Sequence, residues 1–148
     1  MSNNDEIMQE LQKALDNEEN SYIMNLTNQK IEQIKKNSLQ DLFLNEDEIE
    51  NILDKLEDYI YVDGMSDLKS GCYIRWIDLK DPNNIKLSRG ATICDIEIRQ
   101  DGTFIICKNN YGYKRGCFQI KMDENFLFRK LTDQEKVLLS VMNYLNKN

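Results

Sequence analysis

Glycine and proline are distributed very unevenly along this chain of 148 residues. Residues 1–63 contain neither, whereas all six glycines and the single proline, Pro82, lie within residues 64–116. Both residues interrupt helices, because glycine is flexible and proline lacks a backbone donor. The first part of the chain can therefore form uninterrupted helices, and the second part has the turn residues that short strands require.

The glycine-free part shows the spacing of amphipathic helices. Apolar residues recur at steps of three and four, and the series begins Ile7, Met8, Leu11, Ala14 and Leu15. A less regular continuation reaches Ile34. The pattern predicts either two helices that meet near residues 17–20 or one helix over residues 5–36. Such a helical arm would dock onto a partner or pair with a second copy of the chain.

A further helix is predicted to begin after Asn45. The segment from Asn45 to Glu48 resembles a capping box, in which Asn45 accepts a hydrogen bond from the backbone at Glu48. Apolar residues then share one face, and they are Ile49, Ile52, Leu53, Leu56 and Ile60. The opposite face is acidic as far as Asp58, and acids in its first turn also complement the helix dipole.

The second part of the chain has the composition of strands. Five segments are rich in β-branched and aromatic residues, and they are residues 72–79, 92–99, 103–108, 117–122 and 126–130. In the second of them, Thr92, Cys94, Ile96 and Ile98 are predicted to form an apolar face. The remaining residues, Ile93, Asp95, Glu97 and Arg99, would form the mostly charged face. Asp101-Gly102 predicts a hairpin turn, and Thr132 to Glu135 is a second capping box before a last helix.

These elements predict an α+β fold. N-terminal amphipathic helices would precede a small antiparallel β-barrel or curled sheet of about five strands, SH3-like or OB-like, closed by a C-terminal helix. A flat sheet with the helix across it is the alternative. The change in composition divides the chain into an acidic helical arm, residues 1–63, and a small β-barrel domain with the C-terminal helix, residues 64–148.

Charge divides at nearly the same place. The chain has a net charge of −7 from 26 acids and 19 bases. Residues 1–70 hold 17 acids and 6 bases, a net of −11, whereas residues 71–148 hold 9 acids and 13 bases, a net of +4. All five arginines lie in the second part. Such asymmetry bears on partners rather than on fold.

The composition argues against most catalytic chemistry. The chain contains no histidine, which removes serine–histidine and cysteine–histidine catalysis and histidine metal sites. The four cysteines are isolated from one another, so no zinc or redox motif is present and reduced thiols are expected. Nucleotide-binding and hydrolase motifs are also missing. We therefore predict no catalytic, cofactor or metal site, and a protein that is not an enzyme.

The expected location is the cytoplasm or a virion. Acidic residues through the first twenty positions are incompatible with a secretory signal peptide, so secretion is not expected. The chain has no run of about 20 apolar residues, so a membrane span is not expected either.

One segment of the second part has residues suited to polyanions. Two tyrosines flank Gly112 and are followed by two bases, a combination that can stack on bases and hold phosphates. With the neighbouring strands, the candidate contacts are Arg75, Lys108, Tyr111, Tyr113, Lys114 and Arg115. The alternative interpretation is a turn whose tyrosines pack on their neighbours.

Two other features have ordinary structural explanations. Asp95 and Glu97 share a strand face at a spacing that would allow general acid–base chemistry, but a solvated face with Arg99 as a partner is the favoured interpretation. Trp76 is predicted to anchor the core, while Arg75 faces outward because neighbouring strand residues point to opposite faces.

The composition also carries a resemblance. The chain is rich in Asn, Ile and Lys, with 17 asparagines, a bias typical of an AT-rich genome. Residues 71–77, Arg89-Gly90 and residues 128–135 are similar in style to segments of small proteins from large double-stranded DNA viruses of protists. The resemblance implies a virion-associated or virus-encoded accessory role and transfers no functional residue.

These observations predict a non-enzymatic structural, assembly or protein-interaction module. Its partner would be a protein, or a second copy, that contacts the N-terminal helices. The alternative is a nucleic-acid-binding small barrel that is masked by the acidic helices. The net acidity of the chain disfavours this alternative, because free nucleic-acid binders are usually basic.

Overall fold

A computed structural model of the chain describes residues 3–16, 27–109 and 116–146. The chain forms two compact units, one from Met1–Gln33 with Leu131–Asn148 and one from Ile34–Lys130. The fold class is α+β, with N-terminal helices, an antiparallel sheet and a C-terminal helix, as the sequence predicted.

The first unit is helical. It contains α1 (Asn3–Asp16), the start of α2 (Asn28–Gln40) and α4 (Asp133–Asn146), and α1 packs against α4. The backbone N–H of Asn28 donates to Oδ1 of Asn143 at 3.0 Å, which ties the first turn of α2 to α4.

The predicted capping box of α4 is confirmed. The hydroxyl of Thr132 accepts a hydrogen bond from the Glu135 backbone at 3.1 Å, and Oε1 of Glu135 accepts one from the Thr132 backbone at 2.8 Å. These bonds satisfy two amides that the helix itself leaves unpaired, so the start of α4 is fixed by its local sequence.

The single long helix over residues 5–36 is wrong. Thr27 is not helical, and its hydroxyl accepts a hydrogen bond from the Lys30 backbone at 3.2 Å, which marks the start of α2. The predicted junction at residues 17–20 lies outside the described residues. A threonine N-cap favours a helix start over helix continuation, because its hydroxyl accepts the backbone N–H that would otherwise bond to a carbonyl of the preceding turn.

The second unit begins with the end of α2 and with α3 (Glu46–Lys55). The predicted N-cap is confirmed, since Oδ1 of Asn45 accepts from the Glu48 backbone at 2.8 Å. The prediction that Ile60 continues this helix is wrong, because α3 ends at Lys55 and Ile60 lies buried in a strand. Strand pairing there overrides the helical spacing.

The sheet has six strands joined in antiparallel pairs. They are β1 (Tyr59–Tyr61), β2 (Tyr73–Asp78), β3 (Ala91–Arg99), β4 (Gly102–Asn109), β5 (Gly116–Lys121) and β6 (Asn125–Lys130). Their order across the sheet is β1-β6-β2-β3-β4-β5, so the last strand lies between the first two. Two short 3₁₀ turns, Met65–Asp67 and Met122–Glu124, lie between strands.

The expected barrel of about five strands is corrected to an open sheet of six. In the described part of the chain, β1 and β5 are the two edges, and no ladder joins them. The extra strand, β1, lies before residue 64, in the segment predicted as a helical arm, and it pairs with β6. Barrel closure depends on long-range pairing between edge strands, which period-two spacing within each strand does not specify.

A β-bulge corrects the predicted faces of β3. Between Ile93 and Asp95 the register with β4 shifts by one residue. Ile93 is therefore buried, and Cys94, expected on the apolar face, is exposed. Beyond the bulge the predicted alternation holds for Ile96, which is half-buried, but it is wrong for Ile98, which is 72% exposed. The chain turns at Asp101-Gly102, where Arg99 pairs with Gly102 as expected of a tight hairpin.

Each face of the sheet carries its own hydrophobic core within the second unit. The first core includes Ile74 and Trp76, as predicted, and Trp76 lies 5.6 Å from Phe118 between ring centroids. The second core joins the sheet to the helices, through Leu39 of α2 and Ile52 of α3. Its other buried members are Ile49, Leu56, Tyr59, Ile77 and Phe128.

Candidate functional site

The first unit exposes large apolar side chains on both of its packed helices. Ile7 and Met8 of α1 are 55% and 62% exposed, and Tyr144 and Leu145 of α4 are 68% and 59% exposed. Large apolar side chains are normally covered, and contiguous exposed ones mark interaction sites. We call these four residues the helical apolar surface.

The local sequence explains why these residues lie on helices, and the exposure of their side chains differs along α1. Ile7, Met8 and Leu11 share one side of α1, and only Leu11 among them is half-buried. Asp5 and Glu6 occupy the first turn, where they complement the helix dipole. The sequence predicted Ile7 and Met8 within an apolar stripe but missed Tyr144. Tyr144 and Leu145 follow Val141 at the three- and four-residue spacings of such a stripe.

Arg75, a predicted polyanion contact, is held by backbone carbonyl groups. Its Nε donates to the Ser88 carbonyl at 2.8 Å, and one terminal nitrogen donates to the Lys55 carbonyl at 3.3 Å. Lys55 is the last residue of α3, so the guanidinium lies where the helix dipole favours a cation. These bonds give Arg75 a structural role at the end of α3.

The other predicted polyanion contacts are only partly described. Lys108 is exposed near the end of β4, opposite Thr92 and Cys117 in the register of the sheet. One strand, β3, separates it from the strand of Arg75. The remaining candidates lie outside the described residues, and they are Tyr111, Tyr113, Lys114 and Arg115.

The charged face of β3 forms a polar network over an aromatic ring. Nε of Arg99 donates to Glu97 at 2.9 Å, and a terminal nitrogen donates to Gln119 of β5 at 3.0 Å. The guanidinium carbon lies 4.4 Å from the centroid of the Phe104 ring. Arg99 thus pairs with Glu97 along the same strand, and the geometry favours the interpretation of Asp95 and Glu97 as a solvated face.

The cysteines do not form a reactive cluster. Cys107 is fully buried, Cys72 is half-buried, and Cys94 and Cys117 are exposed, each with a free thiol. Burial, and to a lesser extent the neighbouring Cys94, raises the pKa of the Cys107 thiol to about 12. A thiol with so high a pKa is a poor nucleophile at neutral pH, because the thiolate is the reactive form.

The described residues contain neither a metal-binding cluster nor a membrane-spanning helix. In the described residues, no group of three or more cysteine or carboxylate side chains is placed to hold a metal ion. Within the same residues, no helix combines the length and apolar character needed to cross a membrane. Comparisons with family models, with curated proteins and with solved structures gave no match for this chain. Its functional interpretation therefore depends on geometry, burial and charge.

Proposed function

We propose that the chain is a non-enzymatic protein-interaction module that docks or assembles through the helical apolar surface. The observation that carries this proposal is the exposure of four large apolar side chains on two helices that already pack together. A helix surface of this kind is covered by an apolar face of a partner protein or of a second copy.

The size of the surface fits a complex of moderate strength. Burying one large apolar side chain contributes roughly 1.5–3 kcal/mol. Four such side chains would contribute an amount similar to the cost of association, which is about 4–15 kcal/mol. Further contacts from the partner are therefore needed for tight binding, as expected of an assembly contact rather than an obligate dimer core.

The chemistry of the second unit supports a non-enzymatic role. The carboxylate of Glu97 is engaged by Arg99, and the raised pKa keeps the Cys107 thiol protonated at neutral pH. The groups best suited by residue type to acid–base or nucleophilic chemistry are thus in poor positions to perform it.

The resemblance to proteins of large double-stranded DNA viruses supports a place for this module in a virion or in its assembly. In that setting the helical apolar surface would bind another virion protein. The physical basis would be the same in the cytoplasm, because the surface recognises apolar complementarity.

Charge substitutions on α1 test the proposal. The variant with Ile7→Asp and Met8→Asp places two carboxylates in the surface, and burying unpaired charges costs several kcal/mol. We expect the unchanged protein to dimerise in light scattering at high concentration, or to retain a protein from its native source, and the double variant to do neither. Gln9→Asp is the matched control, because Gln9 is exposed on the opposite side of α1 and should leave association intact.

An unchanged protein that stays monomeric at high concentration and retains no partner would contradict the proposal. So would a double variant that associates as well as Gln9→Asp. Circular dichroism establishes that both variants keep their helices, so lost association is not confused with unfolding.

The alternative function is nucleic-acid binding that the acidic α3 weakens. It is favoured by one observation, namely that α3 packs on the sheet through the second core while its exposed face is acidic. Lys108 and the adjoining bases Lys114 and Arg115 would then supply phosphate contacts.

A further inference from the structure

The second unit contains an open cavity of about 570 Å³ at the ends of several strands. Its walls come from residues 61–65 at the end of β1, from Gly102 and Thr103 at the hairpin, and from Met122, Asp123 and residues 125–127 around the start of β6. Leu79, which follows β2, completes the lining. Pockets that bind small molecules have volumes of about 300–1,000 Å³, so this one is large enough to hold an organic ligand.

The charge of the lining has one sign. Asp63 and Asp123 are its ionisable carboxylates, and no lysine or arginine lines the cavity. Both carboxylates are exposed, and among the described residues neither takes part in an ion pair or hydrogen bond. The nearby Lys80 and Lys121 lie outside the lining and pair with Glu124 at 3.2 and 3.9 Å. The Lys121 side chain lies within 4 Å of the Cβ position of Gly102 and offsets part of the charge, but the two carboxylates of the lining leave the cavity with a negative potential that disfavours anions.

Aromatic rings form part of the wall. The rings of Tyr61 and Phe126 meet edge to face, with centroids 5.8 Å apart. Burial and, to a lesser extent, the charge of Asp63 raise the pKa of the Tyr61 hydroxyl, which therefore stays neutral at pH 7. Ring faces attract cations through their quadrupole, and the thioethers of Met65 and Met122 add a polarizable apolar surface.

We propose that this cavity binds an organic cation that carries an alkylammonium group. Carboxylates would supply the charge complement, and the aromatic and methionine side chains would cover the alkyl part. An inorganic metal ion fits less well, because no group of three ligating side chains occurs in the described residues. The ligand would be a free small amine or a lysine side chain of another protein, and the site does not depend on the helical apolar surface.

A pair of isosteric probes tests the charge requirement. Choline and its uncharged analogue 3,3-dimethylbutan-1-ol have the same shape, so a difference in binding reports the cation alone. In NMR titrations of the full chain at constant ionic strength, we expect choline to shift the amide signals of Gly64, Gly102 and Asp123. The alcohol should leave them unchanged. Titration with Nα-acetyl-lysine methylamide then distinguishes the two sources, because tighter binding than that of choline indicates a lysine side chain and weaker binding indicates a free small amine.

Substitutions in the lining provide the second readout. Asp63→Asn with Asp123→Asn keeps the shape of two exposed side chains and should weaken choline binding at least fivefold. Asp41→Asn is the matched control, because it removes one charge from an exposed position outside the lining and should have little effect.

Three results would overturn the proposal. They are equal binding of choline and the alcohol, choline shifts confined to residues away from the cavity, and a double variant that binds choline as tightly as Asp41→Asn. Failure of the charge variants on α1 to change association would leave this site untouched, because the two experiments concern different units.

Discussion

At the scale of single residues, two cations that resemble surface charges in the sequence fix the end of α3. Lys35 is fully buried, and its Nζ donates to the carbonyl of Leu56 at 2.7 Å. Arg75 donates to the neighbouring carbonyl of Lys55. Helix ends leave carbonyl groups unpaired and carry partial negative charge, so cations are favourable there. The burial of Lys35 could not be predicted from the sequence, because lysine is rarely buried. The position of Lys35 along α2 also gives no indication that its partner is the distant carbonyl of Leu56.

The buried thiol of Cys107 gives a prediction at the same scale. Its pKa is about 12 in the folded protein, against an ordinary value of 9.0. Above pH 9 the unfolded chain releases this proton and the folded chain keeps it, so the free energy of unfolding should fall as the pH rises from about 9 to 12. The slope from this one group is at most about 1.4 kcal/mol per pH unit.

Urea unfolding at increasing pH measures this effect. The free energy of unfolding of Cys107→Ala should fall less steeply at alkaline pH than that of the unchanged protein. In the native protein, iodoacetamide at mildly alkaline pH should modify the exposed Cys94 and Cys117 and leave Cys107 unmodified until the chain is unfolded. All four thiols should react in the unfolded chain without reductant, because the expected state is reduced. Modification of native Cys107 at the rate of Cys94 would contradict the account.

At the scale of elements, capping and turn residues set where α3 and α4 begin and where the hairpin turns. Contacts between distant backbone segments set other boundaries, such as the entry to β3. The caps at Asn45 and Thr132 and the turn at Gly102 follow from residues within four positions of one another. The entry to β3 is different, because Gly90 has a φ of +105° and lies against β2. A Cβ there would lie 2.6 Å from the Tyr73 ring and 2.8 Å from the Ile74 carbonyl oxygen.

Gly90→Ala should therefore be strongly destabilising. Its unfavourable φ costs about 1–3 kcal/mol, and the clash with β2 adds to that cost. Gly71→Ala is the matched control, since Gly71 has a φ of +93° but no atom within 4 Å of its Cβ position. Urea denaturation should show the larger loss for Gly90→Ala, and equal losses for the two variants would show that the contact with β2 has no effect.

At the scale of the whole molecule, the opposite charges of the two halves meet within the second unit. α3 buries its apolar face in the second core and keeps its acidic face exposed, through Asp47, Glu50 and Asp54. Removing α3 would uncover Tyr59, Ile77 and Phe128, so a truncated chain is a poor test of its electrostatic effect. Substitutions in the full chain that replace exposed acids by amides remove the charge and keep this core intact.

The nucleic-acid alternative predicts a gain of binding when the acids of α3 are neutralised. Asp47→Asn, Glu50→Gln and Asp54→Asn together would change the net charge from −7 to −4. If α3 weakens polyanion binding, this variant should be retained on heparin at low salt while the unchanged protein is not. Retention should fall linearly with salt on logarithmic axes, and adding Lys114→Glu with Arg115→Glu should flatten that slope.

The control makes the same charge change elsewhere. Asp5→Asn, Glu6→Gln and Asp41→Asn also add three positive units at exposed positions, but none of them lies on α3. Equal retention of the two triple variants on heparin would show that net charge alone controls binding. That result would contradict masking by α3. A folded α3 variant that ignores heparin and DNA at low salt would end the nucleic-acid alternative.

Much of the secondary structure and part of the candidate site could be predicted from the sequence. Ile7 and Met8 of the helical apolar surface follow from helical spacing, and that spacing is a local property of the chain. Tyr144 escaped prediction because its exposure depends on how α4 packs. The cavity escaped prediction because its lining comes from segments around Tyr61, Gly102 and Asn125, which are far apart in sequence.

The sequence by itself determined the starts of α3 and α4, the hairpin and the α+β class, because each rests on contacts between near neighbours in the chain. Only the tertiary structure decided that β6 lies between β1 and β2 and that Ile60 belongs to a strand. It also decided that Ile93 is buried in place of Cys94. Strand order, bulges and edges depend on which distant segments meet, and alternation within one strand satisfies many such pairings equally well.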